Sequence, residues 1–118
     1  KIPAITLEPA LEHQMTSNLQ QEGDSLNLNL PAEIIMNISS QIVQAWKSAA
    51  EKGIERPVLL CDSRLRHSLA AMMARAIPLL PVIAYDEIVP NTEVEPVEMV
   101  KLNRADGIPS QQKEFAKA

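Results

Sequence analysis

Aromatic side chains are nearly absent from this 118-residue chain: Trp46, Tyr85 and Phe115 make up 3% of it. A hydrophobic fraction of 46% must therefore build its core from Ile, Leu, Val, Ala and Met. Cys61 is the sole cysteine, which excludes an internal disulfide framework and a cysteine-based zinc site. Glycine is scarce, at three residues, and no glycine-rich phosphate loop occurs. Positive charge is short as well. Eleven Lys and Arg face fifteen Asp and Glu, a net charge of -4. A general nucleic-acid binder needs a phosphate-facing excess of cations, so no nucleic-acid partner is expected. The longest apolar run, Ile77 to Tyr85, contains two prolines and falls far short of the roughly 20 residues of a spanning helix. The chain begins with Lys1 rather than Met, which leaves room for a longer parent with a membrane segment outside these residues.

What is present is an alternation of extended and helical stretches, punctuated by nine prolines. Ile2 to Leu7 reads as a short strand. Pro9 suits a first helical turn, and Leu11, Met15 and Leu19 recur at helical spacing, with Gly23 as a stop. Ser25 to Leu30 alternates apolar and polar residues, as either an edge strand or an extended connection. Pro31 to Lys52 is the clearest helix. Ile34, Ile38, Ile42, Ala45, Trp46 and Ala49 form its apolar stripe, Glu33 complements its positive end and Gly53 closes it. The continuous apolar run from Pro57 to Cys61 suits a strand buried on both faces. A second amphipathic helix follows through Leu65, Leu69, Met72, Met73 and Ala76, with Asp62 or Ser63 as its cap and both methionines in the core. Leu80 to Tyr85 reads as another buried strand and Val97 to Leu102 as a weaker one. The expected fold class is α/β, a small mostly parallel sheet of about three to four strands with helices on both faces. Residues 1–103 form one domain in this reading, and 104–118 a polar, flexible tail.

Three features carry candidate chemistry. Cys61 stands at a strand end before a helix, where helix N–H groups can stabilise a thiolate, as in thiol phosphatases and sulfurtransferases. The position six residues on, where the phosphatase pattern has Arg, is His67, and no glycine lies between Cys61 and Arg66 to let a loop wrap an oxyanion. A small buried residue is the simpler reading. Asp62-Ser63 is similar to the phosphorylatable serine site of STAS-type regulatory modules, but it lacks the glycine that usually follows, and an N-cap is the simpler reading. Arg64, Arg66 and His67 cluster at the start of the second helix, the end that the macrodipole makes unfavourable for cations. Either an acidic partner docks there or Asp62, Asp86 or Glu87 pairs with them. His13 and His67 lie on different helices, so metal binding is not expected. Glu87, Glu93, Glu95 and Glu98 read as a solvated sheet edge.

The order of the segments carries more than any one of them. Pro57-Val58-Leu59-Leu60, then Ser63-Arg64-Leu65-Arg66, then Leu80-Pro81-Val82-Ile83-Ala84-Tyr85-Asp86-Glu87-Ile88 resembles the PVLL strand, the SPxLRxxLRRLxE helix and the LPxLPVLSYxEI strand of the FlhA/InvA family. These are export-gate proteins of flagellar and virulence type III secretion. Ile5 to Glu12 is similar to the family's ITLDPxLE segment and Glu93 to Val100 to its VEVQSVGMV ending. The agreement in order and spacing covers about residues 2–102. Departures fall at Cys61-Asp62-Ser63, at Ala74 to Ile77 and at Glu98, where the flagellar branch usually has Gly.

The resemblance implies the extreme C-terminal subdomain of a cytoplasmic ring on the inner membrane, the parent being membrane-embedded. It implies a non-enzymatic role, with no catalytic, cofactor-binding or metal-binding residue. The implied partners are other subdomains and subunits of the ring, secretion chaperones, export substrates and ATPase-stalk proteins, with no membrane contact by these residues. Arg64 and Arg66 match the family's basic helix and, with His67, are the candidate contact residues. The reading that competes with it is a thiol enzyme centred on Cys61 or a regulatory module phosphorylated at Ser63.

Overall fold

The computed structural model describes residues 1–101. The expected tail 104–118 lies outside them. Strands β1 (Ile2–Leu7), β4 (Val58–Cys61), β5 (Val82–Ala84) and β6 (Val94–Val100) form one sheet in the order β5-β4-β1-β6, and every neighbouring pair is parallel. Between β1 and β4 the chain forms α1 (Pro9–Thr16), a hairpin of β2 (Leu19–Glu22) and β3 (Ser25–Leu28), and α2 (Ala32–Glu51). Helix α3 (Arg66–Ala76) joins β4 to β5. The mostly parallel α/β sheet expected from the sequence is thus found, with four strands.

Connection handedness explains how the layers are distributed. The steps β1 to β4 and β4 to β5 run the same way across the sheet, so right-handed crossovers set α2 and α3 on the same face. The step from β5 to β6 runs back past β1, and its connector crosses the other face. The packing agrees. Ile5, Leu7, Leu59, Cys61 and Val82 point into a core shared with Leu11 and Met15 of α1, Ile38 and Ile42 of α2, and Leu69 and Met73 of α3. The opposite face carries a smaller cluster of Ala4, Val58 and Leu60, against which Ile88 of the connector packs. The expected cover on both faces is therefore unequal. Among the described residues the α-helices pack on one side, and the other has only the connector with its 3-10 turn at Tyr85–Glu87.

Helix α2 follows its apolar stripe: Ile34, Ile38, Ile42, Ala45 and Ala49 are all buried. It begins one residue later than expected, with Pro31 as the flanking residue. Its far end closes as a Schellman motif. The Ile54 N–H donates to the Ala49 carbonyl and the Gly53 N–H to the Ala50 carbonyl, each at 3.0 Å, with Gly53 at φ 80°. A Cβ at Gly53 would meet nothing within 4 Å, so only backbone strain opposes it. Gly53→Ala is expected to destabilise the chain by about 1–2 kcal/mol, the cost of a left-handed alanine, read as a lower urea midpoint at unchanged slope.

Helix α1 is shorter than its Leu11, Met15, Leu19 spacing predicts. Thr16 Oγ1 and Ser17 Oγ donate to the His13 carbonyl at 2.9 and 2.8 Å, and Asn18 Nδ2 donates to the Gln14 carbonyl at 2.7 Å. The His13 carbonyl also keeps its helical bond from the Ser17 N–H, whereas Gln14 receives the Asn18 side chain and the Asn18 N–H turns to the Met15 carbonyl at 3.1 Å, which ends the helix. Leu19 instead opens the hairpin, and Gly23 is not a helix stop but the first residue of the two-residue turn between Glu22 and Ser25. Its φ of 62°, with no positive φ at Asp24, fits a type II′ hairpin turn. Of the Ser25 to Leu30 segment, Ser25–Leu28 forms the second hairpin strand, outside the main sheet.

Strand β6 extends over Val94–Val100 and forms one edge, starting three residues before the expected Val97 to Leu102 segment, whose last residue lies outside the described residues. Glu98 is not a solvated edge residue. It lies opposite Ile5, on the helix-covered face, and accepts hydrogen bonds from Ser48 Oγ at 3.0 Å and from Lys52 Nζ. The Lys52 contact holds its carboxyl below the ordinary Glu range, with Ser48 adding to it, and the pair ties the end of α2 to β6.

Candidate functional site

The carboxyl ends of β4 and β5 gather most of the polar groups singled out from the sequence. Helix α3 does not start where a cap at Asp62 or Ser63 would put it. Residues 62–65 form a turn closed by the Leu65 N–H on the Asp62 carbonyl at 2.9 Å, and the helix begins at Arg66. Asp62 organises that turn: its Oδ1 accepts the Arg64 N–H at 2.8 Å and Arg64 Nε at 3.0 Å, while Oδ2 accepts Arg64 Nη2 at 2.9 Å. The Arg64 side-chain hydrogen bonds hold the Asp62 carboxyl below its usual range. Arg66 Nε donates to Glu87 Oε1 at 2.7 Å. Glu87 also accepts the Ala84 N–H at 2.8 Å, the first reason that its carboxyl is held low, with Arg66 adding to it. Both arginines are thus matched to carboxylates brought close by the turn and by the 3-10 segment.

Glu12 of α1 reaches the same region, accepting the Asp62 N–H at 2.8 Å and the Tyr85 hydroxyl at 3.4 Å. Desolvation and then this carboxylate push the Tyr85 hydroxyl up to about 12. Cys61 lies beneath, 0% exposed. Burial first, and the Glu12 and Asp62 carboxylates next, push its thiol up to about 12. A nucleophilic cysteine needs the opposite shift. Both the buried thiol and the start of α3 beyond the 62–65 turn weigh against the thiol-enzyme reading. Ser63 is exposed in that turn.

His67 points elsewhere. With Ser68, Ala71, Met72, Arg75 and Ala76 it forms the α3 wall of an open groove of about 630 Å³. Ile35, Met36 and Ser39 of α2 and Asn27 and Leu28 of β3 complete it. The structure therefore separates the three candidate residues: Arg64 and Arg66 lie in ion pairs at the sheet end, and His67 lies at the groove. Met72, expected in the core beside Met73, is only half-buried and lines this groove. Arg75 and Met36 were not signalled by spacing, because they share the groove only through the convergence of separate elements. No group of three His, Cys, Asp or Glu among the described residues is placed to hold a metal ion. No helix among them is long and apolar enough to cross a membrane.

Fold and site together define a small parallel α/β domain whose conspicuous surface is an open, largely apolar groove. The sequence profile of the FHIPEP family matches residues 1–93, and the chain belongs to that family. The match bears out the FlhA/InvA resemblance drawn from the segment order. The fold is similar to that of the C-terminal domain of InvA, with a TM-score of 0.72 and 20% identity over 85% of this chain and 30% of that one. The nonameric SctV-C of EPEC, determined by cryo-EM, has a TM-score of 0.68 at 17% identity, over 84% of this chain and 29% of that one. The Chlamydia pneumoniae CdsV and CdsO complex has a TM-score of 0.65 at 22% identity, over 85% and 29%. The chain thus spans under a third of the length of each of these three structures. A comparison with curated proteins finds no match.

Proposed function

We propose that these residues are a non-enzymatic subdomain of a type III secretion export gate, part of the cytoplasmic platform that receives export substrates and their chaperones. The observation that carries this is the family match over residues 1–93. A nonameric assembly is described for EPEC SctV-C and a complex with CdsO for CdsV, which supports other gate subunits and stalk proteins as partners. The physical reading fits. The thiol is buried and protonated, the arginines are neutralised by neighbours, and an open groove remains for a partner. In this reading residues 1–103 act as one unit at the cytoplasmic face of the inner membrane, and Arg64 and Arg66 set the shape of the sheet end, not the charge of a docking site.

Excising residues 1–101 from the parent gate protein is expected to abolish secretion of export substrates while the remainder still reaches the membrane. Retention of chaperone and stalk proteins in a pull-down should fall with it. Secretion and pull-down both at wild-type level would overturn the proposal.

A further inference from the structure

The groove between the hairpin, α2 and α3 is chemically one-sided. Its apolar lining includes Leu28, Ile35, Met36 and Met72. Among the described residues no Asp or Glu lines it, although the whole chain carries a net charge of -4. The groove face of α3 presents His67, Ala71 and Arg75 in one row at i, i+4 and i+8. At about 1.5 Å per residue, the two nitrogen-bearing side chains stand roughly 12 Å apart along the helix, with a methyl group between them. Among the described residues Arg75 forms no ion pair. The carboxylate tied to the lining is Glu22, which accepts from Asn27 Nδ2 on the opposite, hairpin wall. Met36 is 70% exposed, and Met side chains adapt readily to an apolar partner.

We infer that this groove receives an amphipathic helix of a partner protein whose apolar stripe is edged by two carboxylates about two turns apart. Ala71 allows close approach of the partner backbone, Met36 and Met72 pack on the apolar stripe, and Arg75 and His67 meet the two carboxylates. Helix in groove is a general mode of peptide recognition, in which apolar anchors supply affinity and rim charges supply orientation. An open trough suits a helix better than a small molecule, which needs most of its surface enclosed. The inference rests on the docking role proposed above, and deepens it by naming the chemistry of the bound element.

The test uses the 118-residue chain with two synthetic helical peptides of about 15 residues. They share one Leu and Ala stripe and differ only in carrying Glu or Lys at two edge positions about two helical turns apart. Binding is followed by the methyl resonances of Met36 and Met72 and the amides of Ser68 and Ala71. The Glu-edged peptide is expected to shift these resonances and to bind roughly threefold to tenfold tighter than the Lys-edged one. Arg75→Glu should reverse the preference. Ala71→Trp, which fills the groove and leaves its charge alone, should remove binding of both. Equal affinities, a preference unmoved by Arg75→Glu, or shifts confined to other surfaces would each overturn the inference. Those results would leave the excision experiment on the parent gate protein unaffected, so the two failures are separable.

Discussion

Leu59→Ala is expected to lower the free energy of unfolding by about 2–5 kcal/mol, a large share of the roughly 5–15 kcal/mol that holds an ordinary domain together. Leu59 is 0% exposed and lies opposite Ile5 on one side and Val82 on the other, so its side chain is enclosed by two strands as well as by the helices. Its N–H donates to the Pro81 carbonyl at 2.9 Å, which fixes the backbone and limits collapse around a truncated side chain. The loss should appear as a lower urea midpoint at unchanged slope. Leu60→Ala, one residue on, faces the smaller cluster under the β5–β6 connector. Among the described residues that layer contains no α-helix and can settle more easily, so its cost belongs at the lower end of the same range. Met36→Ala, at an exposed site, should stay within about 0.5 kcal/mol. A Leu59→Ala loss no larger than that of Met36→Ala would show that the helix-covered face is not the main core.

Much of this architecture was legible because two signals agreed. Helix α2 carries both a long apolar stripe and end signals, Pro31 and Gly53, and its observed bounds differ by one residue at each end. Strand β4 reads as apolar throughout because Val58 and Leu60 face one cluster while Leu59 and Cys61 face the other. Where signals conflicted, spacing misled. Leu19 continues the α1 period, but the helix ends before it, where the Asn18 side chain takes the Gln14 carbonyl and the Asn18 N–H turns to Met15. Glu98 looked like part of an acidic edge because its register opposite Ile5 depends on a bulge in the β1–β6 pairing, between Ala4 and Ile5. The groove lies further from the sequence still. Its lining comes from β3, α2 and α3, and nothing in the spacing within any one of them shows that they converge. The basic cluster is intermediate. The excess cation at a helix start was visible, but its resolution required the 62–65 turn for Arg64 and the 3-10 turn after β5 for Arg66.

Cys61 is expected to react with iodoacetamide about a thousandfold more slowly in the folded chain at pH 8 than in the urea-unfolded chain. Its thiol is pushed from an ordinary value of 9.0 up to about 12, and the thiolate is the reacting species. A thiol that ionises near pH 12 instead of 9 carries about a thousandfold less thiolate at pH 8, before any loss of access is counted. The folded-state rate should keep rising through about pH 10 with no plateau below it. Rapid modification near neutral pH would restore the thiol-enzyme reading. The raised thiol pKa also bears on stability. The unfolded thiol ionises near 9 and the folded one only near 12, so its contribution is fully present below pH 9 and is lost as pH rises from 9 towards 12. Tyr85 acts in the same direction, between 10 and about 12. Cys61→Ala should therefore flatten the alkaline fall in stability without abolishing it, and the slope that remains should begin nearer pH 10. Both groups are raised first by burial and second by the Glu12 carboxylate. Glu12→Gln should therefore lower both pKa values and narrow the pH range over which stability is lost. A carboxylate so placed works against a thiol nucleophile. Glu12 also accepts the Asp62 N–H, so Glu12→Gln weakens the tie of α1 to the end of β4 as well.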